Sequence, residues 1–294
     1  MKKIIIGLGE ILWDCLPEGK QLGGAPANFA FHAGQFGHEA LTISAVGNDE
    51  LGRKTIEALK AKRLRHLLPQ VEKPTGTVLV SLDNNGVPAY EIREEAAWDY
   101  IPFTDMMKDL ARKCDAVCFG SLAQRNEVSR TTIHRFLECT SATCLKVFDI
   151  NLRQSYYTKT LLAQSMMKCD ILKINDEELE RVFGLFDYKG YDITEMCRFL
   201  IKLYRLKILV LTCGTDGSYV FTANEVSFLP TPKIAVTDTV GAGDSFSGAF
   251  IAAILSGKMI QEAHRLAVDV SAYVCSQRGA MPLLPEHFIK KANS

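Results

Sequence analysis

The stretch Ile171-Leu-Lys-Ile-Asn-Asp-Glu-Glu-Leu-Glu-Arg-Val-Phe183 decides the fold, because a short apolar run leads directly into a helical pattern. Several such runs along the chain are apolar throughout rather than alternating, which is typical of parallel strands covered by helices on both faces. The runs are Lys3–Leu8, Leu41–Val46, Ala116–Phe119, Lys146–Ile150, Ile171–Ile174 and Ile208–Thr212, and the helical patterns are Ala25–Phe36, Leu51–Leu64, Thr131–Leu137, Asp176–Phe183 and Ile193–Leu203. This alternation predicts an α/β fold, with a doubly wound, mostly parallel sheet and helices on both faces.

One part of the chain breaks this alternation. Thr77–Leu82 and Pro88–Arg93 are two strand patterns joined by Asp83-Asn-Asn-Gly86, whose Asn-Gly pair is typical of a type I′ hairpin turn. Together with the strand pattern Glu10–Leu16, they predict a small antiparallel flap, or lid, over the carboxyl edge of the sheet. The sequence has no internal repeat and no linker, so we expect one domain over residues 1–294 with the lid inserted at about 10–22 and 75–101.

Composition and charge narrow the class of protein. Lys plus Arg and Asp plus Glu number 34 each, so no net field attracts nucleic acid or anionic lipid. The longest apolar stretch, Ala249 to Leu255, is too short to span a membrane. The nine cysteines lack zinc-site spacing and several lie in apolar runs, which indicates buried thiols in a reducing compartment. We therefore expect a cytoplasmic protein with no nucleic-acid or membrane partner.

The clearest chemical motif is Asp238-Thr-Val-Gly-Ala-Gly-Asp244, which leads into the apolar helical pattern Ser245–Leu255. Gly241 and Gly243 permit a tight turn and leave space for a ligand. The N–H groups from Gly241 through Asp244 have no helical acceptors and lie at the positive end of the helix dipole, which suits a phosphoryl group. Asp244 in the same turn is a candidate general base. The alternative is an aspartate that only caps the helix.

Other phosphate-binding motifs are absent from the sequence. No GxxxxGK[ST] pattern occurs, and Gly7-Leu-Gly9 continues as Glu-Ile-Leu12 without the third glycine of a dinucleotide site. These absences argue against a P-loop enzyme and a Rossmann dehydrogenase.

A second motif suits a sugar. Gly23-Gly-Ala-Pro-Ala-Asn28 opens a helical pattern, and its paired glycines allow a sugar ring to approach the backbone. Asn28 offers both a donor and an acceptor to hydroxyl groups, and Asp14 accepts hydrogen bonds from vicinal hydroxyls. Taken alone, a plain turn is the favoured interpretation of the glycines and a solvated carboxylate that of Asp14.

These motifs together resemble a known family. Gly23–Gly52 and Asp238–Asp244 resemble the two signatures of the ribokinase-like PfkB family of carbohydrate kinases, in the expected order and separation. The resemblance covers essentially the whole chain, and Gly9–Pro17 and Ala97-Trp-Asp99 are similar to bacterial fructokinases. Further matching segments are Asp149-Ile-Asn-Leu-Arg153, Asn175-Asp-Glu-Glu178, Thr212-Cys-Gly-Thr-Asp-Gly217 and Gly279-Ala-Met-Pro282.

The resemblance implies a role for each matching residue. It implies ATP and Mg²⁺ as cofactors, with a monovalent cation such as K⁺ beside the phosphate site. The implied catalytic residues are Asp244 as base, the amides of Gly241, Ala242 and Gly243, and Arg153 near the phosphates. The implied sugar contacts are Asp14, Gly23, Gly24, Asn28, Arg93 and Trp98, and the implied ATP contacts are Asn175, Thr212, Gly214, Gly217, Gly241 and Gly243. The implied cation ligands are Glu178 for Mg²⁺, mostly through water, and Asp238, Val240 and Gly279 for the monovalent ion.

The sequence therefore predicts an ATP-dependent kinase that phosphorylates the primary hydroxyl of a small sugar, with D-fructose to fructose 6-phosphate as the favoured reaction. Two alternatives stay open. One is a kinase for another sugar or sugar acid, such as ribose or 2-keto-3-deoxygluconate, and the other is a sugar-sensing protein without turnover. The strands of the lid also offer edges through which two subunits could pair as a homodimer.

Overall fold

The secondary-structure elements follow the predicted alternation. The structure is a computed structural model that describes residues 2–16, 19–82, 88–190 and 192–293. In these residues the strands are β1 (Ile4–Leu8), β2 (Leu12–Leu16), β3 (Gly19–Gly23), β4 (Glu39–Ile43), β5 (Val46–Gly47), β6 (Arg65–Leu67), β7 (Gln70–Val71), β8 (Gly76–Leu82), β9 (Pro88–Ile92), β10 (Ala116–Gly120), β11 (Leu145–Asp149), β12 (Ile171–Asn175), β13 (Ile208–Cys213), β14 (Gly217–Phe221) and β15 (Val226–Leu229). The helices are α1 (Ala25–Gly34), α2 (Glu50–Ala61), α3 (Asp105–Lys113), α4 (Glu127–Cys139), α5 (Lys159–Lys168), α6 (Asp176–Phe186), α7 (Ile193–Tyr204), α8 (Ala242–Leu255), α9 (Ile260–Cys275) and α10 (Glu286–Asn293), with 3₁₀ turns at Ala97–Tyr100 and Leu122–Gln124.

The main sheet has the strand order β15-β14-β13-β12-β11-β10-β1-β4-β6. Its pairings are parallel from β13 to β6, whereas β14 and β15 continue it antiparallel at one edge. Buried side chains form two separate clusters, with Ile6 and Leu8 of β1 in one and Ile5 in the other. Because successive strand residues point to opposite faces, the sheet has a core on each side. The predicted doubly wound, mostly parallel sheet is confirmed.

The site lies where the strand order reverses. From β1 the chain proceeds first to β4 on one side and later to β10 on the other. In open α/β sheets this arrangement opens a crevice at the carboxyl ends of the strands, and ligands bind there. The loops that follow β1, β10 and β11 therefore surround one cleft.

One predicted boundary is wrong. The helix predicted over Leu51–Leu64 ends earlier than expected, because α2 stops at Ala61 and Arg65–Leu67 forms the edge strand β6. Arg63 has a left-handed backbone (φ 55°), which terminates helical geometry before the strand begins. Arg65 then pairs with Glu39 of the neighbouring strand at 2.7 Å.

A second sheet, in the order β3-β2-β8-β9, forms the lid. It is mixed rather than wholly antiparallel as predicted, because β2 and β8 pair in parallel between two antiparallel hairpins. A parallel pair requires a long connection, and here the chain from β3 to β7 intervenes between the two strands. The predicted turn at Asp83–Gly86 lies outside the described residues. No helix in the described part of the chain combines the length and apolarity needed to cross a membrane.

Candidate active site

Helix α8 begins at the predicted phosphate turn. Gly241 precedes the helix in a left-handed conformation (φ 78°), and a Cβ there would lie 2.8 Å from Ala280. The N–H of Ala242 donates to the carbonyl of Thr239 at 3.2 Å. The next N–H groups, those of Gly243 and Asp244, belong to the first helical turn, where no helical acceptor exists. The turn therefore directs backbone donors and the positive helix end toward the cleft.

Asp244 contacts the sugar motif directly. Asn28 of α1 donates from Nδ2 to Oδ2 of Asp244 at 2.7 Å. Asp244 keeps some exposed surface, but it lies deep in the cleft, and this desolvation together with the charge of Asp149 raises its pKa to about 6. The hydrogen bond from Asn28 and the charges of Lys173 and Arg153 oppose the rise. A carboxyl with its pKa near neutrality is suited to accept a proton at physiological pH.

Lys173 supplies a buried positive charge below the turn. Its Nζ lies 3.1 Å from Oδ1 of Asp149, and both side chains are largely buried. Burial alone would lower the pKa of Lys173, but Asp149, Glu178 and Asp244 together raise it, so the ammonium keeps its charge. A Cβ on Gly243 would lie 2.9 Å from Nζ. Glycine at this position therefore lets the ammonium approach the first turn of α8.

Asp14 and the paired glycines meet on the other side of the cleft. A Cβ on Gly23 would lie 2.9 Å from Oδ2 of Asp14, the carboxylate on β2. Gly24 has φ 119°, and a Cβ there would lie 2.4 Å from the carbonyl oxygen of Glu10. Burial raises the pKa of Asp14, and the charge of Arg153 opposes this. The predicted sugar contacts Asp14, Gly23, Gly24 and Asn28 therefore line one region.

Arg153 lies in the loop after β11, in the field of three acidic groups. Burial raises the pKa values of Glu10, Asp14 and Asp244, and the positive charge of Arg153 opposes each of these rises. Its Nη1 donates to its own neighbour, the carbonyl of Leu152, at 3.1 Å. The guanidinium is therefore held near the cleft, in a position that suits an incoming anion.

The predicted nucleotide residues gather at the carboxyl ends of β12 and β13. Asn175 and Thr212 are direct neighbours in the parallel register. Asn175 and Glu178 form a capping box, and Glu178 accepts hydrogen bonds from the N–H groups of Asn175 at 3.0 Å and Leu152 at 2.8 Å. Gly214, in the turn between β13 and β14, and Gly217, the first residue of β14, have positive φ. Asn175 therefore caps α6, and this capping does not compete with a cation site that Glu178 reaches through water.

The predicted monovalent-cation residues are joined by one carboxylate. Asp238 accepts hydrogen bonds from the N–H of Val240 at 2.9 Å and from the N–H of Gly279 at 3.1 Å. This brings the loop before α8 and the loop after α9 together beside the phosphate turn. The carbonyl groups of these loops are the ligand type that such cations prefer.

Two further predicted sugar contacts, Trp98 and Arg93, lie beside the lid. Trp98 is fully buried, and the guanidinium of Arg125 covers its ring with Cζ 4.1 Å from the centroid. A Cβ on Gly76 would lie 2.3 Å from the indole Nε1, so the ring is enclosed at the base of the lid and does not face a sugar. The Arg93 side chain is exposed, and its Nε lies 4.0 Å from Oε1 of Glu91. Trp98 is therefore a packing residue in this structure, whereas Arg93 stays a prediction.

Sequence reasoning missed Lys173, Asp149 and Glu10. Glu10 follows β1, is 2% exposed, and its Oε2 has no hydrogen-bond partner among the described residues. Desolvation is the main cause that raises its pKa to about 7, and Asp244 adds to it. One signal in the sequence could have found them, namely a charged residue inside an apolar run, as with Lys173 in Ile171–Ile174. A charged side chain is rarely buried in a strand unless it has a partner of opposite charge.

The chain is similar to known carbohydrate kinases along most of its length. The family model described as pfkB family carbohydrate kinase matches residues 18–287. An ATP-dependent 6-phosphofructokinase from Thermoanaerobacterium thermosaccharolyticum is 29% identical over 286 residues, which cover 93% of this chain and 85% of the relative. A fructokinase from Klebsiella pneumoniae is 27% identical, and the match covers 95% of each chain.

A solved structure shows the same architecture. The crystal structure of an uncharacterised sugar kinase from Pyrococcus horikoshii in complex with ATP superimposes with a TM-score of 0.81 at 26% identity. The match covers 95% of this chain and 94% of that one.

Proposed function

Because the chain belongs to the pfkB family of carbohydrate kinases, we propose that it transfers the γ-phosphoryl group of ATP to the primary 6-hydroxyl of D-fructose. The observation that carries this proposal is the 2.7 Å contact between Asn28 and Asp244. It joins the sugar motif to the phosphate turn, so a hydroxyl bound beside Asn28 lies at the carboxylate and at the positive end of α8.

Asp244 acts as the general base. Its raised pKa of about 6 leaves it mostly ionised at neutral pH, yet basic enough to take the hydroxyl proton as the sugar oxygen attacks phosphorus. The bond from the γ-phosphorus to the β–γ bridging oxygen breaks, and ADP leaves with the bonding electron pair. Asn28 holds the carboxylate in place through its amide donor.

Charge on the transferring group is stabilised by fixed donors. The N–H groups of Gly243 and Asp244 have no helical acceptors, and the positive charges of Lys173 and Arg153 both act on Asp244. Since phosphoryl transfer requires mainly positioning and electrostatics, these preorganised groups account for most of the expected acceleration.

The chain's polar groups fit ATP with Mg²⁺. The phosphates would lie over the phosphate turn, with Asn175, Thr212 and the glycine turn after β13 along the nucleotide. Mg²⁺ would neutralise phosphate charge, and Glu178 would hold it through water, because both its oxygens already accept backbone N–H groups. The Asp238 loops would hold a monovalent cation such as K⁺ beside the turn.

The residues proposed to bind the sugar favour fructose as the phosphate acceptor. The segments Leu12-Trp-Asp14 and Ala97-Trp-Asp99 are similar to fructokinases, and a curated relative is a fructokinase. Trp13 donates from Nε1 to Oγ1 of Thr55 at 2.9 Å, which fixes β2 and so the position of Asp14. A ketohexose would present ring hydroxyls to Asp14 and Asn28 and keep one primary alcohol near Asp244. A non-catalytic sensor is disfavoured, because the base, the turn and the buried lysine are all present.

Fructose 6-phosphate is a second candidate acceptor, because one relative at 29% identity is a 6-phosphofructokinase. A coupled ADP-release assay with fructose, ribose, 2-keto-3-deoxygluconate, adenosine and fructose 6-phosphate separates the candidates. We expect the highest kcat/KM for fructose, with ³¹P NMR placing the phosphate on the 6-position. A tenfold or greater preference for another acceptor would reject fructose and leave the kinase assignment intact. Absence of turnover with every acceptor would reject the kinase assignment for this panel.

A further inference from the structure

A buried cation ties the lid to the body of the molecule. Arg125 donates from Nε and Nη2 to the two carboxylate oxygens of Asp99, at 2.8 Å each. Nη2 also donates to the carbonyl of Arg93 at 2.6 Å. The side chains of Arg125 and Asp99 are 7% and 2% exposed. Since Arg93 directly follows β9, this bidentate pair fixes the point where the chain leaves the lid.

Tyr156 makes a second tie to the same point from another part of the chain. Its ring packs against the guanidinium of Arg125, with Cζ of Arg125 4.6 Å from the ring centroid. Its hydroxyl lies 3.3 Å from the carbonyl oxygen of Ile92 and 3.0 Å from Oε1 of Glu94, within donating distance of both. Tyr156 belongs to the loop between β11 and α5, so this loop and the lid are joined by hydrogen bonds.

The same loop leads to the phosphate side of the cleft. The N–H of Tyr156 donates to the carbonyl of Arg153 at 3.1 Å, so the two residues share one turn. The N–H of Leu152 donates to Oε1 of Glu178 at 2.8 Å, which anchors the turn to the start of α6. A continuous set of contacts therefore runs from the base of the lid to Arg153 and Glu178.

We propose that Arg125 and Tyr156 form a latch through which nucleotide binding orders the lid before the sugar arrives. Phosphates that engage Arg153 immobilise its turn, and the Tyr156 hydroxyl passes this restriction to Ile92 and Glu94 at the end of β9. Tyr156 is then a positioning residue, because it acts through Arg153 and the lid rather than on the reacting atoms. The latch rests on the proposed function only in placing the ATP phosphates beside Arg153.

Hydrogen–deuterium exchange of the full chain tests the latch without any sugar. The probe is AMP-PNP with Mg²⁺, added to wild type, to Tyr156→Phe and to Tyr157→Phe. Tyr156→Phe keeps the ring against Arg125 and removes only the hydroxyl. Tyr157→Phe is the matched control, because no hydrogen bond of the Tyr157 hydroxyl occurs within the described ranges.

In wild type and in Tyr157→Phe, we expect the nucleotide to slow exchange both in residues 151–157 and in residues 88–95. In Tyr156→Phe, the slowing should persist in 151–157 and be lost in 88–95. Equal slowing of 88–95 in Tyr156→Phe, or its absence in wild type while 151–157 is slowed, overturns the latch alone. Absence of slowing at 151–157 in wild type overturns both the latch and the placement of ATP.

Steady-state kinetics give a second readout that a purely structural role would not produce. With the acceptor that wild type prefers, Tyr156→Phe should raise the sugar KM about 5-fold or more at saturating ATP, the lower end of typical coupling between sites. Its kcat and melting temperature should stay near wild type. A lower kcat with unchanged sugar KM, or a lower melting temperature with unchanged KM, would contradict a positioning role.

Discussion

Asn28 donates a hydrogen bond from Nδ2 to Oδ2 of Asp244 across 2.7 Å, although 216 positions separate the two residues. The contact exists because helices α1 and α8 approach closely. A Cβ on Gly248 of α8 would lie 2.8 Å from the carbonyl oxygen of Phe29 in α1. The two motifs that the sequence shows at opposite ends of the chain therefore meet at one carboxylate.

Gly243→Ala should lower kcat about tenfold or more, a modest loss for a disturbed transition-state charge site. The new Cβ would lie 2.9 Å from Nζ of Lys173 and would move the ammonium away from Asp149 and from the phosphate turn. The measurement is kcat at saturating substrates, with circular dichroism to verify folding.

Gly184→Ala is the matched control for this substitution. Gly184 lies in helix α6, and among the described residues no atom outside its chain neighbours and the adjacent helix backbone lies within 4 Å of an added Cβ. We expect unchanged kcat and a small gain in stability of about 1 kcal/mol from helix propensity. If both variants keep wild-type kcat, the close approach of Lys173 to the turn has no catalytic role.

Arg125→Met should destabilise the protein by about 3–5 kcal/mol, because the carboxylate of Asp99 stays buried without its partner. Urea denaturation measures the change. Lys54→Met is the control, since the Lys54–Glu50 pair is exposed on one face of α2 and its loss should change stability little. Similar losses in the two variants would contradict the structural importance of the buried pair.

Glu10→Gln should change how stability depends on pH. Burial raises the folded-state pKa of Glu10 from 4.5 to about 7, so the folded wild type binds an extra proton between these values. Stability contributed by the protonated carboxyl is therefore lost as pH rises through about 7, by roughly 3 kcal/mol. Glutamine does not titrate, so the stability difference between variant and wild type should grow in favour of the variant from pH 4.5 to 8. Parallel curves in urea denaturation would contradict a buried, protonated Glu10.

The strands of the main sheet could be predicted because burial on both faces leaves an apolar run in the sequence, as in Ile171–Asn175. The edge strand Arg65–Leu67 could not, because one side is open and its residues are mostly polar. The parallel pairing of β2 with β8 was also missed. It depends on how the lid returns to the sheet, and no local pattern records that path.

The candidate site also contains some residues that the sequence predicted and others that it did not. Asp244 and Asn28 stand in motifs whose glycines and order along the chain are visible in the sequence. Lys173 and Arg125 lie in no such motif, and their roles depend on buried carboxylates distant along the chain, Asp149 and Asp99. Trp98, a sugar contact implied by the resemblance of Ala97-Trp-Asp99, is fully buried against Arg125, and the sequence does not show whether such a ring faces a ligand or the core.

The acid side of the pH profile should report Asp244. Its pKa is raised to about 6, so the base is protonated and inactive below this pH and becomes ionised above it. The kcat/KM for the sugar at saturating ATP should therefore rise through about pH 6 and level off. A profile that is flat from pH 5 to 7.5 would contradict a base with this environment.

Asp244→Asn tests the central claim most directly. Asparagine is nearly isosteric, so the fold and both ligand affinities should be retained. Circular dichroism measures the fold and titration calorimetry measures the affinities. Loss of the base should lower kcat by about 10²–10⁴-fold. If the aspartate only caps α8, stability will change and kcat will not. A folded variant with more than about a tenth of wild-type kcat would lose less rate than the removal of a general base causes, and Asp244 would then not be the base.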